Sequence, residues 1–209
     1  LIINGFIRSN SKKKLVIVGD VPYKDSYASN LKKINDKRLV FTGYVEDQNL
    51  LTELYHNCYV YIHGHEFGGT NPTMIKAMAY GCSILALDTV FNQEMLQKGK
   101  FGLFFKKELF SITNTIDYCE KEISLIDKLR LDSVKGVKKK YNWDFIINQY
   151  LEVLGRTDNS LNSGGEIIFT ELIKRKIYDF AKKIELTLEL IEINAVKDFT
   201  WGDRFEVMI

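Results

Sequence analysis

The stretch "GHEFGGTNPTMIKAMAYGC", residues 64–82, decides how the chain is read. It leaves a β-branched and aromatic run, "CYVYIHG" at 58–64, and stops at Gly68-Gly69. It then passes through Thr70-Asn71-Pro72 and restarts as an Ala/Met-rich segment of helical character. Pro72 suits the first turn of a helix, because its missing N–H would be unpaired there anyway. Asn71 or Thr70 is then the natural N-cap. Gly68 and Gly69 let the backbone approach a ligand without a Cβ in the way. A strand that turns into a helix in this manner is one unit of an α/β sheet.

Outward from this turn the alternation repeats. Apolar runs at 14–19 (KLVIVG), 39–43 (LVFTG), 83–88 (SILALD) and 101–105 (FGLFF) read as further strands. They are continuous rather than alternating, which suits strands covered on both faces. Helical patterns occupy 25–35, 47–56, 72–80 and 91–98. In the second of these, Asp47 reads as the N-cap and Leu50, Leu51, Leu54 and Tyr55 as one apolar face. Residues 108–154 read as wholly helical, broken near Tyr141-Asn142, and the opening "LIINGFIRSN" reads as part of a helix. The fold class predicted is α/β: a doubly wound parallel sheet with right-handed crossovers, followed by helices. A Ser/Asn/Gly-rich linker is expected at 156–165. Beyond it, 166–182 has helical spacing and 183–191 has a strand period, so the 166–209 tail reads as helix then strand.

Composition narrows the function classes. Lys and Arg number 29 against 27 Asp and Glu, so no global charge points to nucleic acid. The Lys138-Lys139-Lys140 run reads as a solvated helix face. Three scattered cysteines without a CxxC fit neither a disulfide framework nor a zinc site. Cys58 and Cys82 read as buried small hydrophobes. No apolar run reaches the ~20 residues of a membrane span. A cytoplasmic location is expected, with the inner face of a membrane as an allowed peripheral site.

The turn itself has chemistry. First-turn N–H groups and the helix dipole favour negative charge. The turn follows the carboxyl end of a parallel strand, where open α/β sheets place ligands. A phosphate or diphosphate is therefore the expected occupant, with a plain strand-to-helix turn as the alternative. The turn is neither a P-loop nor a GxGxxG fingerprint.

Several segments, in order and spacing, carry a resemblance. "LVIVGD", "RLVFTGYVED", "LLTELYHNCYVYIHGH", the Gly-Gly-Thr-Asn-Pro turn with "MIKAMAYGC", and "FNQEML" look like the carboxyl-terminal half of a retaining GT-B glycosyltransferase of family 4. The Gly-Gly-Thr-Asn-Pro variant is similar to the rhamnosyltransferase-like branch of surface polysaccharide synthesis. The resemblance spans residues 1–155 and implies a Rossmann-like nucleotide-sugar-binding domain whose first strand is missing. It implies a nucleoside-diphosphate sugar as substrate, a glycan or lipid-linked acceptor held by an absent amino-terminal domain, and no metal or other cofactor. The chain has no DxD of the metal-dependent type. By resemblance, Gly68, Gly69, Thr70 and Asn71 meet the diphosphate, and Tyr44 and Val45 lie near the base. His63 or His65 lies beside the donor sugar, and Asn92 and Glu94 lie towards the donor site. No catalytic residue is assigned.

One departure stands out. The family carries two glutamates eight residues apart around this turn, the second on the ribose hydroxyls. Here those positions are Gly68 and Lys76. A carboxylate accepts from two hydroxyls, whereas an ammonium only donates. Lys76 keeps a place towards the ribose or a phosphate, or else marks a degenerate, non-catalytic binding or scaffolding module. Glu66 is a weaker substitute carboxylate. A nucleotide-sugar epimerase of the same fold ranks last, since no His/Asp/Glu acid–base cluster is evident.

His63 and His65 also share one side of a strand end, a geometry open to a metal, but no third ligand has a supporting spacing. Asp20 and Asp88 end their strands and read as loop-fixing carboxylates or substrate contacts. Tyr55, Tyr59, Tyr61, Phe101, Phe104 and Phe105 read as core.

Overall fold

A computed structural model describes residues 1–21, 25–157 and 207–208. Helix α1 (Ile2–Arg8) opens the chain. Strands β1 (Lys14–Val18), β2 (Leu39–Gly43), β3 (Cys58–His63), β4 (Ser83–Leu87) and β5 (Gly102–Phe105) follow, within one or two residues of the predicted runs. Between them lie α2 (Ser26–Lys32), α3 (Gln48–Asn57), α4 (Pro72–Ala79) and α5 (Val90–Met95). Every strand pair in the ladders is parallel, so the strand–helix alternation has produced a doubly wound sheet.

The sheet order is β2-β1-β6-β3-β4-β5. The sixth strand, β6 (Val207–Met208), was not legible in the sequence. It enters between β1 and β3, pairing with Lys14-Leu15 on one side and with Cys58 and Val60 on the other. Its partners lie nearly 150 residues or more away along the chain, so no local pattern announces the pairing.

The two faces of the sheet carry separate apolar cores. Phe6 of α1 packs with Leu15, Val60, Ile62, Leu85 and Phe105 on one. Tyr55, Met74, Met78, Ile84, Ala86 and Phe101 pack on the other. Strand β4 is buried at all five positions and sends Leu85 to one core and Ile84 to the other. That is why its sequence is a continuous apolar run.

The carboxyl-terminal helical stretch is three helices: α6 (Leu109–Lys121), α7 (Ile123–Lys140) and α8 (Trp143–Thr157). The Tyr141-Asn142 break is present, with Asn142 Oδ1 accepting from the Phe145 N–H at 2.7 Å. The break at Glu122 was missed, because charged residues there continue a helical composition without Gly or Pro. Helix α8 reaches Thr157, two residues into the expected linker. The rest of that linker and the tail elements at 166–182 and 183–191 lie outside the described residues. Two compact units divide within α7: residues 1–137 with β6 form the first, and the second begins at Lys138. Lys138 and Lys139 are exposed, as a solvated face requires.

In α3, Asp47 caps as expected, accepting from the Asn49 and Leu50 amides. The apolar face is narrower than four residues: Tyr55 is buried and Leu51 packs on the core, while Leu50 is 50% exposed. Leu50 lies in the first turn, where its own N–H is held by the Asp47 cap. Cys58, Cys82 and Cys119 are all buried, and none of them forms a disulfide. Burial pushes the Cys119 thiol up to about 12, aided by Glu120, so it behaves as a small hydrophobe. No helix among the described residues is long and apolar enough to cross a membrane.

Candidate functional site

Because the strands are parallel, the loops after β2, β3 and β4 leave from one edge of the sheet. The loop after β3 runs from Gly64 to Asn71 and delivers α4. Gly68 sits at φ +118°, a conformation side-chained residues rarely adopt, and nothing lies within 4 Å of where its Cβ or that of Gly69 would be. The glycines therefore hold an exposed main-chain bend in front of open space.

The start of α4 differs from the expectation in one respect. Asn71 is the N-cap, and its Oδ1 accepts from the main-chain N–H groups of Thr73 and Met74 and from the Thr73 hydroxyl at 2.6 Å. Pro72 has no N–H. The first turn is thus already satisfied by a side chain, because a good N-cap consumes the donors an anion would use. The Asn71 N–H points at the Met95 sulfur, 3.4 Å away. The amides of Gly68, Gly69 and Thr70, all exposed, engage no hydrogen-bond partner among the described residues. The dipole of α4 remains behind them.

Beneath the loop, the rings of Tyr61, His63 and His65 form a ladder along β3 and its continuation. The Tyr61–His63 centroids are 6.1 Å apart and the His63–His65 centroids 5.7 Å, with interplanar angles of 26° and 24°. His63 is buried at 4% exposure, and its Nε2 has no partner among the described residues. Burial first, and His65 second, hold the His63 imidazole down at about 4, so it is neutral at pH 7. His65 itself is exposed. No cluster of three His, Cys, Asp or Glu side chains that could hold a metal ion forms among the described residues.

The other sequence-derived candidates divide. Asn92 is buried in α5, and its Nδ2 donates to the Leu87 carbonyl at 2.8 Å and the His65 carbonyl at 3.1 Å. Glu94 is exposed on the same helix. Tyr44 is 78% exposed, just past Gly43, with Val45 half-buried beside it. Strand β2 stands three places from β3 in the sheet order, so Tyr44 and Val45 leave the edge about 14 Å from the β3 loop. The Lys76 ammonium lies over the Tyr55 ring, 5.8 Å from its centroid. Tyr55 is in the last turn of α3, towards the opposite edge of the sheet, so this ammonium is directed down the helix layer.

Three carboxylates are committed to local partners. Glu66 pairs with Lys107 at 2.6 Å. Asp20 pairs with Lys32 at 2.6 Å and accepts from the Val21 N–H, and these hydrogen bonds lower its pKa. Asp88 accepts from the Gln93 amide at 2.5 Å. The loop-fixing reading of Asp20 and Asp88 accounts for both. No local pattern signals the Glu66–Lys107 pair, which joins residues 41 positions apart.

Residues 3–120, more than half of the chain, match the family model described as "Glycosyl transferases group 1". No curated protein matches the chain. Among solved structures, the chain is similar to the crystal structure of Anabaena Alr3699/HepE in complex with UDP, with a TM-score of 0.62 at 16% identity. Complexes of the same protein with UDP and glucose and with UDP-glucose each give a TM-score of 0.59, at 17% and 16% identity. Each match covers 74% of this chain and 44% of the other, so the chain spans less than half the length of those structures. At such identities the likeness is one of fold.

Proposed function

The chain belongs to the group 1 glycosyltransferases, and we propose that residues 1–155 are the donor-binding half of a retaining GT-B enzyme of family 4, of the rhamnosyltransferase-like branch. In this reading the domain binds a nucleoside-diphosphate sugar and works with an acceptor domain that presents a glycan or lipid-linked acceptor. Its product belongs to a surface polysaccharide, made in the cytoplasm or at the inner face of a membrane. The HepE structures that share its fold carry UDP and UDP-glucose.

The observation that carries the reading is the exposed run of amides at Gly68, Gly69 and Thr70, without hydrogen-bond partners among the described residues, beside a helix N-terminus at the carboxyl edge of a parallel sheet. Breaking the anomeric C–O bond leaves negative charge on the diphosphate. Main-chain donors fixed in front of that oxygen stabilise it without reorganising. Acceptor attack on the face the leaving group vacates then retains configuration. The neutral His63 imidazole and the His65 ring line the approach from the sugar side, and Tyr44 and Val45 that from the base. No metal is invoked, and the diphosphate charge is met by main-chain dipoles.

A second reading is favoured by Lys76. Its ammonium faces Tyr55, which leaves no carboxylate at the position assigned to the ribose hydroxyls. A degenerate module that binds nucleotide sugar weakly, or serves as a scaffold, has this property. Calorimetric titration with UDP and other nucleoside diphosphates separates the two. A donor site predicts saturable binding that Lys76→Glu tightens about tenfold, since a carboxylate accepts from both ribose hydroxyls. Absence of binding in both the wild type and Lys76→Glu, with both folded, leaves the scaffold.

A further inference from the structure

The ladder between β3 and β4 runs from Val60↔Ser83 to His63↔Ala86 and stops. Beyond it β3 turns away through Gly64, whereas Leu87 still pairs with Phe105 of β5. One side chain continues the link between the two strands after their main chains part. Asn92 is 3% exposed, and its Nδ2 donates to the His65 carbonyl on one side and the Leu87 carbonyl on the other. Its own main-chain N–H is held by the Thr89 hydroxyl at 3.1 Å. Resting on the donor-site reading above, we infer that Asn92 is a positioning residue for the diphosphate loop: its carboxamide pins the loop at His65 and thereby aims the Gly68–Thr70 amides.

The loop is fixed at both ends. Asn92 holds it at His65, and the Asn71 cap holds it where α4 begins. Between these points Gly68 takes a positive φ, and Gly68, Gly69 and Thr70 are exposed. A loop of two glycines has a large conformational space to lose when it closes on a phosphate. Two fixed ends remove much of that loss before the ligand arrives, so the benefit appears in affinity. The resemblance placed Asn92 towards the donor. With both Nδ2 hydrogens taken, it acts on the donor through the His65 main chain.

The choice of substitution follows from donor count. Asn92→Asp replaces a double donor by a carboxylate that faces two carbonyl oxygens and can only accept. Protonation returns one O–H donor, and burial against carbonyls raises the pKa at which this happens. UDP is titrated calorimetrically into wild type and Asn92→Asp at pH 8 and pH 5, with each comparison made at one pH. Amide exchange across residues 64–71 is followed by mass spectrometry in the unliganded proteins.

The expected result at pH 8 is an affinity about tenfold below wild type with faster exchange in the loop. At pH 5 the deficit shrinks to about threefold, because one donor has returned. Asn92→Ser, a smaller change, loses affinity at both pH values without the recovery. Ser133→Ala is the stability control: it removes the 3.1 Å bond to the Phe101 carbonyl and is expected to lower the thermal midpoint with UDP affinity unchanged. Asn92 variants that bind UDP as tightly as wild type, or whose loop exchanges at the wild-type rate, overturn the inference. Wild type that binds no nucleoside diphosphate overturns the donor-site reading instead, and the exchange comparison then judges the pinning of the loop by itself.

Discussion

The Asn71 Oδ1 lies 3.0 Å from the main-chain nitrogen of Thr73 and 3.3 Å from that of Met74. The residue whose amide was a candidate phosphate ligand therefore caps the helix with its side chain. Replacing it with alanine is expected to lower stability by about 1 kcal/mol, the usual value of such a cap, as read from urea unfolding. The Thr73 and Met74 amides then become available. Two effects then oppose each other: two donors are added, and the loop end that the cap held at α4 is released, so UDP affinity is expected to stay within about threefold of wild type. A larger loss would mean that the cap's hold on the loop end outweighs the two donors it releases.

Arg38 ties the end of α1 and the segment after it to the start of β2. Its guanidinium donates to the carbonyls of Ile7, Ser9 and Ser11, bonds Asp36, and lies over the Phe6 ring at 4.9 Å. Arg38→Ala is expected to cost about 2–4 kcal/mol, since a half-buried carboxylate and several carbonyls lose their partner. Arg38→Lys recovers little, because one ammonium cannot reproduce the planar fork. The hydrogen bonds from Arg38 hold the Asp36 carboxyl at about 2, below its unfolded value of 3.8. The stabilisation from this pair is therefore complete above pH 3.8 and is lost as pH falls towards 2. An acid titration of Arg38→Ala should show a flatter limb in that window than wild type.

What the sequence displayed was whatever local chemistry determines. Asp47 and Pro72 announced their helix starts because caps and N1 prolines act within one turn. Strand β4 announced itself because burial on both faces makes Ile84 to Leu87 an unbroken apolar run. The candidate turn was legible through Gly68, whose φ of +118° demands glycine. What was hidden depends on residues far apart in the chain. Asn92 has the composition of an exposed helix residue, and only the placement of the β3 end beside the β4 end gives it two carbonyls to hold. By resemblance Lys76 stands at the ribose position, yet Tyr55 of α3 gives its ammonium an aromatic ring. The entry of β6 between β1 and β3 is of the same kind.

Leu85 tests the core that carries the site. It is fully buried in β4, pairs with Ile62 and Leu103 across two ladders, and packs with Phe6 and Ile112. Leu85→Ala is expected to cost about 2–5 kcal/mol, from lost transfer energy and the residual cavity. Leu50→Ala serves as comparison: half exposed, it should change stability by less than about 0.5 kcal/mol. Denaturant midpoints for the two variants, measured with equal m-values, check the contrast.

His63 gives the protein an acid sensitivity that lies well above the carboxylate range. Its folded pKa of about 4 is below the unfolded value of 6.5, chiefly because burial penalises the charged ring and secondarily because of His65. Between these values the unfolded chain binds a proton that the folded chain refuses, so stability rises with pH across the window. As pH falls from 6.5 towards 4, wild type should lose on the order of 2–3 kcal/mol from this group. His63→Phe removes the proton while keeping a flat ring beside Tyr61. Its stability should be nearly constant from pH 6.5 to 4, where wild type slopes. Urea unfolding at half-unit intervals reads the difference directly. Equal slopes in the two proteins would show that the His63 imidazole accepts a proton in the folded state, and that its buried Nε2 finds a partner the moment it is charged.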